Sequence, residues 1–381
     1  MPAIITKDFR VHNAEQFKES FGETADKYYL AIGRPQAFAN DQAFNDGTDA
    51  SPPTPVDDVG QVEYYAYDDF LSAKKIAETD VSIAIPRRNW TTGTVYDYYR
   101  HDYGDINSAG STITSDSGAS SLYDATFYVM NSTFDVYKVI DNNSGGASTV
   151  EPSGNKSTSV FSTGDSYKWK YMYSLSASEQ ANFLSTDFMH VSTESSDFST
   201  TGGAIEHVKI TAGGSGGTNG TYTNVDIRGD GTGGKATVVV SSNAVSSVTI
   251  TTAGSGYTFA SVLASEIGGV SGADIDFIIS PPGGHASNVV TELGGFFVML
   301  NVNLTQADGS GDFSTGNDFR RIALLRNPTD STTGSAATAS TLDATKSITF
   351  SGTPGSFQAD EKITQATTGA VGFVVDFNST T

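Results

Sequence analysis

The feature that most restricts what this chain can fold into is a set of short runs in which β-branched and aromatic residues interleave with polar ones. They are ATFYVMN (125–131), FDVYKVI (134–140), YKWKYMYSL (167–175), KATVVV (235–240), SVTIT (247–251), DIDFIIS (274–280) and FFVMLNVNL (296–304). Such side chains suit a pleated, half-buried surface, and glycine, serine and threonine punctuate the runs as turns do. The expected fold is mainly β. With 22 Phe and 17 Tyr, the 40 glycines mark turns in a packed protein and not disorder.

Helices are expected only in connections. Asn13 can cap AEQFKES, with Phe17 and Phe21 four residues apart and Gly22 as a stop; burying those rings would contribute about 1.5–3 kcal/mol each. Asp68 can start DFLSAKKIAET, with Phe70, Ala73, Ile76 and Ala77 inward. Ser176 and Glu179 form a capping box ahead of QANFL.

Organisation follows composition. Residues 202–282 are glycine-rich and contain an echo: VKITAGGSGG begins at Val208 and VTITTAGSGY at Val248, each a strand that breaks into glycines and is followed downstream by another strand. Two such units make a small β module rather than a solenoid, which needs three or more repeats. The expected division is an N-terminal part of the core at 1–201, the insertion at 202–282, a return to the core at 283–330, and a linker with a small C-terminal β module at 331–381.

Charge narrows the function. The chain carries 22 Lys+Arg against 43 Asp+Glu, a formal charge of −21, and its cationic runs are only the pairs Lys74-Lys75, Arg87-Arg88 and Arg320-Arg321. A nucleic-acid partner or an anionic membrane would be repelled by such a surface. The longest strongly apolar run, FFVML, is too short to span a bilayer, the N-terminus lacks the pattern of a signal peptide, and there is no cysteine. A soluble protein made in the cytoplasm is expected.

Signals of small-molecule chemistry are weak. Gly229–Ala236 matches a phosphate-binding loop except at its last position, where Ala236 replaces the magnesium-binding hydroxyl, and TVVV continues as a strand where a helix is required, so the loop reads as a hairpin turn. Arg-Gly-Asp at 228–230 lies in the same turn. The five histidines, His12, His101, His190, His207 and His285, lack metal-ligand spacing, and His285 reads as a junction residue bonded to backbone. Asp97, Asp102 and Asp105, set among Tyr98, Tyr99 and Tyr103, suit a sugar cleft or, more readily, a core or protein interface. No catalytic residue, cofactor or metal is expected.

AIPRRNW (84–90) concentrates two guanidiniums beside a tryptophan. In an extended segment Arg87 and Arg88 point opposite ways, so one is expected to satisfy internal carboxylates and the other, with Trp90, to face a partner; the alternative is that both brace the protein's own acidic loops.

YYLAIGRPQAF (28–38), SPPTPVDDV (51–59), AIPRRNW, YVMNSTFDVYKVIDN (128–142), TGDSYKWKYMYSL (163–175) and FRRIALLRNP (319–328) occur in an order that resembles the gene product eight family, the baseplate wedge subunit of T-even-type contractile-tailed phages. The resemblance covers about 5–190 and 290–328. It implies a β-sandwich subunit with helices in its loops, a homodimer in the virion's tail baseplate that binds other wedge proteins, assembled in the host bacterial cytoplasm, with no enzymatic residue. Arg87, Arg88, Trp90, Tyr98, Tyr99, Tyr167, Trp169, Tyr171, Arg320 and Arg321 are the candidate interface or motif-core residues. The insertion at 202–282 and the segment after Pro328 depart from the family. A glycan-binding β protein of a phage tail or cell surface is the alternative function.

Overall fold

A computed structural model describes residues 6–33, 48, 50–51, 70–106, 110–154, 156, 159–192, 201–304, 319, 322–330, 333–338, 341, 348, 355–374 and 377. The chain is mainly β and divides into two compact units, one of Met1–Ser20 with Thr79–Asn301 and one of Phe21–Glu78 with Val302–Thr381.

The smaller unit is organised around β1 (Tyr28–Gly33), whose residues are almost all buried. β2 (Phe70–Lys75) and β17 (Ile322–Arg326) flank it antiparallel, with Tyr29 opposite both Lys75 and Leu325. The 70–75 stretch was expected to be helical. Its side chains alternate between half-buried and exposed, and pairing with β1 satisfies its backbone, so a tertiary partner overrides local helix propensity. Only a 3₁₀ turn, Glu78–Asp80, remains of that helix, and Asp68 lies outside the described residues. A separate hairpin joins β18 (Lys362–Thr364) to β19 (Val371–Phe373).

In the larger unit, α1 runs Lys7–Ser20. It begins seven residues earlier than Asn13 allows, because the Thr6 hydroxyl accepts a hydrogen bond from the Phe9 N–H and caps the first turn. Asn13 is therefore helix interior. Val11 and Ala14 are the buried contacts, Phe17 is half-exposed, and Phe21, past the helix end in the smaller unit, packs on Tyr28 at 4.3 Å between ring centroids. Two sheets follow. β3 (Val81–Pro86) lies between β8 (Phe188–His190) and β16 (Phe297–Leu300), and β4 (Tyr128–Met130), β5 (Asp135–Asp141), β7 (Lys168–Ser174) and β6 (Phe161–Ser162) form a four-stranded sheet in that order. One hydrophobic cluster joins them, with Ile83, Ile85 and Met189 from the first sheet and Val129, Val136, Val139, Trp169 and Met172 from the second. All seven runs singled out in the sequence are or contain strands.

α2 (Ala177–Phe183) has the expected capping box: the Glu179 N–H donates to Ser176 Oγ at 3.3 Å and the Ser176 N–H to Glu179 Oε2 at 2.7 Å. Ser176→Ala is expected to cost about 1 kcal/mol and Ser176→Gly only a few tenths, read from urea midpoints.

Residues 205–279 gather a hydrophobic cluster of their own. β9 (Ile205–Ser215) pairs antiparallel with β15 (Ser271–Ile279); β12 (Lys235–Ser241) pairs with both β10 (Gly220–Asp226) and β13 (Ala244–Thr252). β11 (Arg228–Gly229) makes a short bridge with β14 (Ala260–Ser261). Ser242 and Asn243, both with positive φ, turn β12 into β13, as a two-residue primed hairpin requires.

Candidate functional site

The chain leaves β3 at Pro86 and runs through the motif segment. The Arg87 N–H donates to the Asp187 carbonyl at 2.7 Å, and Arg88 O and the Trp90 N–H bracket Met130, at 2.7 and 2.9 Å, so Asn89 lies in a parallel bridge on the end of β4. This fixes both guanidiniums. Arg87 donates from Nε to Asn89 Oδ1 and from Nη1 to the Ser185 carbonyl. Arg88 donates to the carbonyls of Ala125 and Tyr123 and stands over the Tyr128 ring, 4.6 Å from its centroid. One arginine was expected to meet carboxylates; both instead donate to backbone carbonyls. Trp90 is half-buried, with Nε1 donating to Ser148 Oγ at 3.0 Å.

Ser148 leads to the second motif. Its hydroxyl donates to Asp165 Oδ2, and Asp165 also accepts from the Thr149 and Val150 N–H groups and from Thr163 Oγ1, which in turn accepts from Trp169 Nε1 at 3.0 Å. The two tryptophans of the motifs are thus the ends of one relay, Trp90–Ser148–Asp165–Thr163–Trp169. Burial acts to raise the Asp165 carboxyl, but hydrogen bonds from Thr163 and the Val150 and Thr149 amides outweigh it and hold the group below its ordinary 3.8.

Beneath the relay, Tyr167 and Trp169 are fully buried and stacked with ring centroids 5.4 Å apart; Tyr167 OH donates to the Gly146 carbonyl and accepts from the Tyr96 N–H. Tyr98, Tyr99 and Tyr171 are buried too. Of the candidate residues, five aromatics therefore belong to this core, Arg87, Arg88 and Trp90 form its lid, and Arg320 and Arg321 lie outside the described residues.

The three aspartates do not converge. Asp97 is buried and accepts from the N–H and hydroxyl of both Ser117 and Thr126, which overcome burial and lower its carboxyl. Asp102 pairs with Arg100, whose guanidinium also grips Asp276 of β15 in a bidentate fork. Asp105 is exposed. Glycines 229–234 form no phosphate cradle. They make room for Tyr257, whose ring a side chain at Gly231 would strike at 2.4 Å, while Lys235 pairs with Asp226. In the Arg-Gly-Asp turn, Arg228 pairs with Glu266, and hydrogen bonds from the Thr258 hydroxyl and amide lower Asp230 to about 2.

Sequence reasoning missed a buried cluster. Lys138 of β5 and Lys170 of β7 stand directly opposite each other, both with no exposure. Lys138 Nζ donates to Glu292 of α3 (Val289–Leu293), meets His285 Nδ1, and lies 4.1 Å from the Tyr99 ring centroid. The other Glu292 oxygen accepts from the Ala286 N–H at 2.7 Å. His285 thus meets charged side chains, where the sequence suggested backbone. The signal was present: a lysine inside FDVYKVI, a strand buried on both faces, requires an anion, and Glu292 is the only acid in NVVTELGG.

Burial, with Lys138 and Lys170 adding to it, holds His285 neutral and well below its ordinary 6.5. An unfolded His285 binds a proton at pH values where the folded one does not. Stability is therefore complete above about 6.5 and falls as pH drops below it, by up to about 1.4 kcal/mol per pH unit for one such group. Urea midpoints should be level from pH 8 to 7 and decline from 6.5 to 5; a midpoint that holds or rises there contradicts the assignment.

A family model described as Bacteriophage T4, Gp8 matches residues 3–144, which hold Arg87, Arg88, Trp90, Tyr98 and Tyr99 and stop short of Tyr167, Trp169 and Tyr171. No curated protein matches the chain.

Proposed function

We propose that this chain, whose residues 3–144 match the model of the phage Gp8 family, is a structural wedge subunit of a contractile-tailed phage, that it forms a homodimer, and that it docks other wedge proteins in the tail baseplate after assembly in the host cytoplasm. The family match carries this reading. Arg87, Arg88, Trp90, Tyr167, Trp169 and Tyr171 make internal bonds and packing contacts, which suits a stiff scaffold that rearranges between discrete arrangements instead of deforming. Docking then falls to other surfaces. Ile322 and Leu324 on β17 and Val371 and Phe373 on β19 are exposed apolar side chains on short strands of the smaller unit, and permanent assemblies bury such groups in interfaces of about 2,000 Å² or more.

The organisation that goes with this reading is a family core at 1–201 and 283–330, with 202–282 as an insertion and 331–381 as linker and terminal module. The charge of −21 suppresses unspecific association until partners arrive. The glycan-binding alternative has lost its platform, since Tyr98 and Tyr99 are buried in the core and stacking on a sugar needs an open ring face.

Light scattering on the purified chain tests the dimer: the expected mass is twice the 40.0 kDa of one chain. A monomer at every concentration would remove the homodimer, and co-expression with the other wedge proteins that yields no shared complex would remove the docking role.

A further inference from the structure

β17 is the edge of its sheet: β1 pairs with it on one side, and among the described residues no strand lies on the other. A bond just past its end tells which backbone groups face outward. The Asn327 N–H donates to the Lys27 carbonyl at 2.8 Å, and in an antiparallel pair the positions that bond the neighbour alternate with positions that turn away from it. Counting back from Asn327, Leu325 and Ala323 bond β1, whereas Arg326, Leu324 and Ile322 turn away. The facing strand agrees, since Tyr28, opposite Arg326, accepts from the Ile76 N–H just after β2, at 2.9 Å. The N–H and carbonyl groups of Ile322, Leu324 and Arg326 are thus left at the open edge, without a hydrogen-bond partner among the described residues.

An open edge is a template for another strand, and proteins that keep one free guard it with charge. The opposite edge of this sheet is guarded, because β2 ends in Lys74 and Lys75. β17 reads IALLR, and its outward positions carry Ile322, 62% exposed, and Leu324, 38% exposed, on one face with Arg326. Arg326 is already held by Asp26 of its own subunit at 2.8 Å. From 319 to 329 the sequence has no acidic residue, a gap in the negative charge of a chain at −21.

We propose, on the reading that the chain is a homodimer, that its two copies meet at this edge, with β17 pairing antiparallel with the partner's β17 about a twofold axis at Leu324. The three-stranded sheet then runs through the dimer as six strands. A twofold interface needs a patch that complements itself, and the outward positions do so. Leu324 lies opposite the partner's Leu324 and exchanges two hydrogen bonds with it; Ile322 lies opposite the partner's Arg326, whose stem can cover it, and exchanges two more on each side of the axis. Every outward N–H and carbonyl gains a partner, and no like charges stand directly opposite each other. The acid-free stretch lets molecules of strong negative charge approach there.

Light scattering of the full chain against concentration is the test. The parent is expected as a dimer. Leu324→Pro removes an N–H that β1 does not use, so its far-ultraviolet spectrum should match the parent's, while the dissociation constant of the dimer should rise about thirtyfold or more, because each copy loses a seam bond and leaves the facing carbonyl unpaired. Leu324→Lys and Leu324→Glu, at an exposed side chain, should each weaken the dimer about tenfold or more through like charges at the axis, and should form a mixed dimer when combined. A dimeric parent with Leu324→Pro and Leu324→Lys unchanged overturns the seam and leaves the homodimer standing; a parent that is monomeric at every concentration overturns both. Charge variants whose mixture dimerises no better than either alone overturn the twofold register. Variants that keep the dimer but no longer join co-expressed wedge proteins assign the edge to one of those proteins and overturn the proposal.

Discussion

Glu292→Ala is expected to destabilise the larger unit by about 3–5 kcal/mol, the cost of leaving a buried charge without its partner. Lys138 has no exposure, its ammonium donates to Glu292, and it also meets the Tyr99 ring and His285, which burial holds neutral. Neither can replace a carboxylate. Lys170, opposite on β7, adds a second buried side chain of the same sign. The variant also frees the Ala286 N–H, so the segment that leads into α3 loses its hold on β5. Lys138→Met together with Glu292→Met is expected to recover most of that loss, since well-packed apolar replacements of a buried pair are often neutral or better. Urea unfolding of the three proteins measures both effects. Equal stability of Glu292→Ala and the parent would mean that the pair is not the clamp its geometry implies.

Trp169→Ala is expected to cost about 3–5 kcal/mol. Its ring is fully buried, stacked on Tyr167 and edge-on to Tyr96 at 6.3 Å between centroids, and its Nε1 is the last donor of the relay from Trp90. Trp169→Phe keeps much of the packing and loses the bond to Thr163, so about 1–2 kcal/mol is expected. Were these residues a binding hot spot, both variants would fold normally and fail only in assembly. The account expects the reverse order: Trp169→Ala should lose fold first, by tryptophan fluorescence of the remaining Trp90 and by urea midpoint.

Strands were legible because alternation is local. KATVVV, DIDFIIS and YKWKYMYSL each carry the period of two that a sheet imposes, and the Ser176–Glu179 box depends on four residues alone. The stretch at 70–75 was not legible as a strand. FLSAKK has acceptable helix propensity, and what makes it a strand is β1, about forty residues earlier in the chain. Likewise Asn13 is a good cap in isolation, yet Thr6 sets the helix start from outside the described pattern of apolar residues. The motif arginines were visible as a cluster, but their partners are backbone carbonyls of Ala125, Tyr123 and Ser185, which no side-chain pattern announces. Lys138 and Glu292 are 154 residues apart. Only the topology that returns the chain to β5 after β15 makes them a pair. The echo at Val208 and Val248 was half legible: the repeated residues were plain, whereas the pairing of β9 with β15 and of β12 with β13 needed the registers.

Imaging of assembled phage particles at side-chain resolution, with this polypeptide traced, tests the central claim most directly. The account predicts the chain in the baseplate wedge, Tyr167 and Trp169 packed inside their own subunit, and neighbouring proteins seated on its outer strands. Particles that lack the chain, or a wedge in which those aromatics are drawn out into another protein, would contradict it.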